Sequence, residues 1–295
     1  MPACLGVLGD LVEDVVVWLE EPLRHASDTR VRIHRRQGGS AANVAVTAAR
    51  LLPTVFIGCV GADAAGEALV AGLCDAGVDA RVQRRGTTGT IVILVDADGE
   101  RTMLPDRGAA LALDDVDPAW LSDLTHLHLP AYSLATEPLR RSALAAAGQV
   151  STGGGTISVD ASSTGVIAEL GAEALLDLVR QVGARYLFAN ADEVEALDLL
   201  GSGRAAIPDT VVVAKDGPRP TTILEPGRPP QTVPVPPLAT VRDLTGAGDA
   251  FAAGFLAAVC EGEPAAVAAA AGHGAAAQIL CRQAGTAEST HAKDA

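Results

Sequence analysis

Short apolar runs alternate with longer stretches of helical period along most of the chain, and this alternation predicts a doubly wound, mainly parallel α/β sheet flanked by helices. Residues 4–8 form an apolar run that stops at Gly9-Asp10, which reads as a buried strand reaching an active edge. Strands are expected at 14–19, 29–36 and 55–60, with a helix at 41–52 that ends before Pro53 and another at 66–76. Segment 78–85 reads as extended, and 90–95 with 101–104 as a hairpin around Asp96-Ala97-Asp98-Gly99. Segments 116–121, 124–129 and 137–148 continue the alternation, followed by strands at 156–160, 185–189 and 210–215 and a short antiparallel edge at 221–224 and 232–235. The Ala-rich stretch 265–280 is broken by Gly272-His273-Gly274, which suits a buried helix better than a membrane span.

With 295 residues the chain is long enough for one large α/β domain over 1–295. Aromatic residues make up only 3%, so the core has to be aliphatic and base-stacking platforms are disfavoured. A net charge of −14 points the same way, against nucleic acid and against anionic membrane surfaces as partners. Cys4, Cys59, Cys74, Cys260 and Cys281 form no CxxC pair and sit among apolar neighbours, so they read as buried free thiols of a reducing compartment. No basic segment precedes an apolar one at the N-terminus, and a cytoplasmic location is expected.

Candidate chemistry is concentrated in Asp243-Leu244-Thr245-Gly246-Ala247-Gly248-Asp249-Ala250-Phe251, where a Pro-rich connector meets an Ala-rich helical run. Its glycines allow the N–H groups of Gly246, Ala247 and Gly248 to converge as an anion cradle at a helix start. Asp249, in the first turn beside that anion, could take a proton from a hydroxyl attacking a phosphoryl group. The plainer alternative is a Gly-rich helix start with a first-turn Asp that complements the dipole. Gly38 and Gly39 open the helix carrying Asn43, whose amide has both the donor and the acceptor that a sugar hydroxyl needs. Asn190 and Glu193 stand three apart at another helix start, a spacing that also fits an Asn cap with acidic first-turn residues. Arg30, Arg32, His34 and Arg36 alternate along one strand and share a face, which is expected to meet solvent or a partner subunit.

The 243–251 run resembles the C-terminal signature of the ribokinase-like carbohydrate and nucleoside kinases, the PfkB family, and Gly38-Gly39-Ser40-Ala41-Ala42-Asn43-Val44-Ala45 resembles its N-terminal signature. The resemblance implies a ribokinase-like fold with a small β-sheet lid built from segments about 11–37 and 87–105. It implies Asp249 as catalytic base, an anion hole at Gly246, Ala247 and Gly248, and sugar contacts at Asp14, Gly38, Gly39 and Asn43. For ATP and Mg²⁺ it implies Asn190, Glu193, Lys215 and Gly217, the metal being held mainly through ATP and water near Glu193. Asp243 and Thr245 match positions linked to a monovalent cation, K⁺, in some relatives. Pro218-Arg219-Pro220 departs from the family's Gly-containing loop, and Leu244 replaces its usual Thr. Lid strands in this family often pair between subunits, which makes a homodimer the expectation.

The leading function is therefore an ATP-dependent sugar kinase acting on a hydroxyl, a primary alcohol, of a small carbohydrate. A nucleoside kinase of the same fold is the alternative, with Trp18 available to stack on a base. A sugar-binding regulator without catalysis is a third reading, opposed by the intact Asp249, Gly248, Asn190 and Glu193. Other designs fit poorly: the chain has no GxxxxGKS/T loop, no HRD or DFG set, no GxGxxG after the first strand, and only two lysines, Lys215 and Lys293.

Overall fold

A computed structural model describes residues 3–238 and 244–291, with side chains described as far as residue 281. The chain opens with strands β1 (Leu5–Leu8), β2 (Val12–Leu19) and β3 (Val31–Gly38), then helix α1 (Ser40–Ala48), β4 (Thr54–Val60), α2 (Ala64–Asp75) and β5 (Asp79–Arg84). Next come β6 (Thr88–Val95), β7 (Arg101–Gly108), β8 (His126–Pro130), α3 (Tyr132–Ala135), α4 (Leu139–Thr152) and β9 (Thr156–Asp160). They are followed by α5 (Thr164–Leu170), α6 (Ala172–Gln181), β10 (Ala184–Ala189), α7 (Ala191–Ala196), α8 (Ser202–Ala206) and β11 (Val211–Asp216). The chain closes with β12 (Arg219–Leu224), β13 (Gln231–Val233), α9 (Ala247–Cys260) and α10 (Ala265–His291).

The large sheet has the order β13-β12-β11-β10-β9-β8-β1-β4-β5. From β11 to β5 every pairing is parallel, and β12 and β13 add an antiparallel edge. After β1 the chain builds outwards on the β4 side and then returns to the β8 side, so a crevice opens at the carboxyl ends of β1 and β8. In open α/β sheets that reversal is where ligands bind. A second sheet, β3-β2-β6-β7, stands beside it. Both sheets match the predicted doubly wound fold, and segment 116–121 contributes only a 3-10 turn at Pro118–Leu121.

Strands buried on both faces explain the continuous apolar runs, because helices cover each side. Leu8, Ile57, Leu129, Val159, Leu187 and Val212 pack on the α4, α5 and α6 side. Val7, Phe56, Phe188 and Val213 pack on the opposite side, under α1, α2, α9 and α10. Three of the chain's four phenylalanines, Phe188, Phe251 and Phe255, meet there at centroid separations of 5.1 to 6.4 Å. Small residues let α9 and α10 approach closely: a Cβ on Gly254 would stand 2.8 Å from the Ala271 carbonyl oxygen. The five cysteines are free, but only Cys4 and Cys59 are buried; Cys260 is half-buried, and Cys74 and Cys281 are exposed on helix faces. Apolar neighbours in sequence did not make those helix positions inward-facing. Among the described residues no helix is long and apolar enough to cross a membrane.

One polar line crosses the apolar layer beneath α9. His126 Nδ1 lies 2.6 Å from Thr156 Oγ1 and its Nε2 lies 2.8 Å from Ser158 Oγ, which in turn lies 2.8 Å from His128 Nδ1. Burial pushes His126 down to about 3, helped by neighbouring His128, and pushes His128 down to about 4 against the pull of Asp160. An unfolded histidine titrates near 6.5, so below that pH the unfolded chain takes up protons that the folded chain refuses. Stability is then full above about pH 6.5 and is lost as pH falls towards 4, by up to about 1.4 kcal/mol per pH unit for each histidine. Urea midpoints should fall between pH 7 and pH 5, less steeply in His128→Gln; equal slopes in the two proteins would contradict this account.

Candidate active site

The carboxyl ends of β1, β9, β10 and β11 and the N-termini of α1 and α9 converge on one crevice. Gly246 turns the chain into α9 with φ 76°, a left-handed conformation that glycine adopts without strain. Asp249 follows in the first turn. Its Oδ1 accepts a hydrogen bond from Ser40 Oγ at 2.7 Å and its Oδ2 accepts one from Asn43 Nδ2 at 2.9 Å. The two glycine-rich motifs, at opposite ends of the chain, are thus joined through one carboxylate. Burial raises Asp249 to about 6, against the lowering effect of Ser40, Asn43 and Lys215, while Asp160 adds to the rise.

The expected trio of free amides is reduced to two. Ala247 N–H donates to the Leu244 carbonyl at 3.2 Å, closing the turn that precedes α9. Among the described residues, the N–H groups of Gly246 and Gly248 have no protein acceptor and remain available to an anion.

Lys215, expected on the ATP and Mg²⁺ side, lies near the end of β11. Its Nζ turns inward and donates to Asp160 Oδ2 at 2.9 Å, with both side chains largely buried. Asp160 Oδ1 accepts from Ser162 N–H at 2.8 Å. Burial alone would lower the Lys215 pKa, yet Asp160, Glu193 and Asp249 together hold it above its ordinary value. The loop itself is closed by the Asp216–Arg219 ion pair and turns at Gly217, φ 56°.

Asn190 and Glu193 form a capping box at the start of α7. Asn190 Oδ1 accepts from Glu193 N–H at 3.0 Å, and the Glu193 carboxylate accepts from Asn190 N–H and from Nδ2, each at 2.8 Å. Glu193 is buried, and burial first, then Asp160, raises its pKa. Among the described residues no three acidic, histidine or cysteine side chains converge as a metal cage. Hard carboxylate oxygens at Glu193 and Asp160, close enough to act on one another electrostatically, fit Mg²⁺ carried on phosphate and water.

On the small sheet, Asp14 pairs across from Arg36, Val16 from His34 and Trp18 from Arg32, so this basic ladder shares its face with Asp14. Arg36 lies 3.5 Å from Asp14 and Arg32 lies 3.2 Å from Glu20, while Arg30 lies 3.7 Å from Glu21. The arginines stay exposed beside acidic partners, and only Arg36 touches a candidate site residue. Burial raises Asp14 against the lowering effect of Arg36. Gly38 leaves room for Asp14: a Cβ there would stand 2.0 Å from Asp14 Oδ1. Asp243 lies outside the described residues; Thr245 Oγ1 accepts a hydrogen bond from the Arg101 guanidinium, which reaches over from β7.

Sequence reasoning missed Ser40, Asp160, Arg101 and the Asp10–Arg107 pair, whose two hydrogen bonds are both 2.7 Å. A signal existed for the two acids, since Asp10 follows β1 and Asp160 ends β9, each a carboxylate at the carboxyl end of an apolar strand.

The profile of pfkB family carbohydrate kinases matches residues 7–293. The chain is 32% identical over 263 residues to an ATP-dependent ribose-1-phosphate kinase of Halopiger xanaduensis, covering 83% of this chain and 80% of that one. It is 29% identical to a fructokinase of Klebsiella pneumoniae, covering 86% and 83%. Its fold matches an adenosine kinase from Sinorhizobium meliloti with TM-score 0.83 at 22% identity, covering 95% and 94%. A ribokinase from Thermotoga maritima matches with TM-score 0.78 at 22% identity, covering 94% and 93%.

Gly39 tests how tightly this site is built. It has φ 100°, and a Cβ on it would stand 2.3 Å from the Asp10 carbonyl oxygen, whereas Gly86 has φ 59° and open space around it. Gly39→Ala should lower stability by more than the roughly 1–3 kcal/mol that the dihedral alone costs, and Gly86→Ala by no more than that. Equal shifts in urea midpoint would show that the Gly39–Asp10 approach is not a constraint.

Proposed function

The chain belongs to the pfkB family of carbohydrate kinases, and from that premise we propose that it transfers the γ-phosphoryl group of ATP to a primary hydroxyl of a small carbohydrate. It is a phosphotransferase acting on a hydroxyl, of the sugar or nucleoside kinase type. The observation that carries the reading is the Asp249 carboxylate, pinned by Ser40 and Asn43 in the same turn as the Gly246 and Gly248 amides, which have no acceptor among the described residues.

In this reading the acceptor oxygen bonds to the γ-phosphorus as the bond from that phosphorus to the β–γ bridging oxygen breaks, and the hydroxyl proton passes to Asp249. Ser40 and Asn43 hold the carboxylate by one oxygen each, which fixes its orientation before substrate arrives. The Gly246 and Gly248 amides face the charge that develops on the phosphoryl oxygens. Asp14, placed by Gly38 and Arg36, accepts hydrogen bonds from the sugar. Asn190 and Glu193 shape the nucleotide side, where Gly217 lets the chain turn. Mg²⁺, when bound, supplies positive charge to the phosphates. K⁺ activation is disfavoured, because the Arg101 guanidinium already places a positive charge on Thr245.

Trp18, 40% exposed on the Asp14 face, gives a nucleoside acceptor its specific support. We read the chain as one domain over 1–295, with segments about 11–37 and 87–105 as a lid. The lid face opposite Asp14 carries Val15, Val17 and Leu19 with Ile33 and Leu104, the last two 55% and 52% exposed. An apolar face flanked by strand edges supports a homodimer through the lid. Free thiols support a cytoplasmic location.

Asp249→Asn should lower kcat by about 10² to 10⁴ while ATP binding persists. Because the base works only when ionised, kcat should also fall as pH drops through about 6. ADP release measured with a panel of sugars and nucleosides tests both, and near-normal turnover by Asp249→Asn on the best acceptor would refute the mechanism. Light scattering at micromolar concentration should give twice the chain mass; a monomer would refute the lid dimer.

A further inference from the structure

The Lys215–Asp160 pair has no evident part in holding the fold. Taking an ammonium and a carboxylate out of water is costly, and a buried ion pair is often no better for stability than apolar groups of the same volume. β11 and β9 are not neighbours; β10 lies between them, and the ammonium reaches across Phe188, 5.8 Å from its ring centroid, to Asp160. The structure therefore fixes the ammonium at a particular place. That place is the base of the amide cradle, since Nζ lies 3.6 Å from where a Cβ on Gly248 would stand.

Asp160 accepts one of the three ammonium N–H groups, and no other described group accepts the remaining two. Charges around the crevice are unbalanced: Asp160, Glu193 and Asp249 all act on this single lysine. An anion entering the cradle would meet three carboxylates, and Lys215 is the cation that stands among them. Lys293, the chain's other lysine, lies outside the described residues.

We propose that Lys215 donates directly to the phosphoryl group being transferred, with Asp160 anchoring its ammonium beneath Gly248. This rests on the kinase reading and adds to it a third donor besides the two amides. A cation placed in advance stabilises charge that spreads over the equatorial oxygens during transfer, with no rearrangement at the moment of reaction. Because only the terminal phosphoryl reaches the cradle, Lys215 should distinguish ATP from ADP.

The test compares Mg²⁺-ATP and Mg²⁺-ADP affinities by calorimetry in the full chain, with melting temperature and kcat alongside. Lys215→Met alone leaves Asp160 buried without its cation and destabilises the fold, so the informative variant is Lys215→Met with Asp160→Asn, which removes both charges together. We expect the double variant to melt close to wild type, to bind ADP within about threefold of wild type, to lose ATP affinity about tenfold or more, and to lose kcat by about 10². Asp160→Asn alone keeps the ammonium and should retain most of the ATP preference. If the double variant keeps the wild-type ratio of ATP to ADP affinity, Lys215 is a structural residue and the proposal falls. If the wild-type chain binds neither nucleotide, the kinase reading itself falls, and this proposal with it.

Discussion

Keeping Asp249 ionised away from bulk water is the constraint around which the carboxyl edge of the sheet is arranged. Burial alone favours its protonated form, and in the mechanism proposed above only the ionised form takes the acceptor proton. Two hydrogen bonds from α1 and the cation on β11 offset that cost. Each of these supports has its own requirement in turn. Ser40 and Asn43 need the chain to pass close to Asp10 at Gly39, and Lys215 needs Asp160 to stay charged in the core. The site is therefore a set of mutually dependent burials, and none of its charged groups would be stable there alone.

The topology supplies the geometry for this. Reversal of strand order at β1 and β8 opens the crevice, and Asp10 just beyond β1 and Asp160 at the end of β9 bring carboxylates to that edge of the sheet. The small sheet hangs from the same region, because β2 leaves directly after β1 and β3 runs directly into α1. Its movement would be felt at the large sheet through Arg101 on Thr245 and Arg107 on Asp10.

Fold class was legible because buried parallel strands must be almost wholly apolar, and runs such as 156–160 and 55–60 show this without reference to any partner. Helices α5 and α6 were harder to see: they are short, and Gly165 and Gly171 interrupt the apolar spacing of Val166, Ile167, Leu175 and Leu176. At the site, Asp249 and its glycines were legible as a local motif. Its partners were not, since Ser40 stands 209 positions away and Asp160 meets Lys215 across 55. Local reasoning also overcounted the free amides, because the turn that presents the cradle uses the Ala247 N–H to close itself. The exposure of Cys74 and Cys281 has a similar cause, since helix phase decides burial and neighbour composition does not.

The polar line beneath α9 has a direction. Ser158 has one hydroxyl hydrogen and two imidazole nitrogens beside it, so it donates to one and accepts from the other. If it donated to His128, the proton of that neutral ring would sit on Nε2, which is buried without a partner. A stranded N–H is rarer in proteins than a stranded lone pair, so the favoured order has His128 donating to Ser158, Ser158 to His126, and His126 to Thr156. Every bond dipole then points the same way, and the two ring tautomers are locked together. A change of protonation at the Thr156 end would have to reverse the whole series, and the reversal would end on His128, within the electrostatic reach of Asp160 and Lys215.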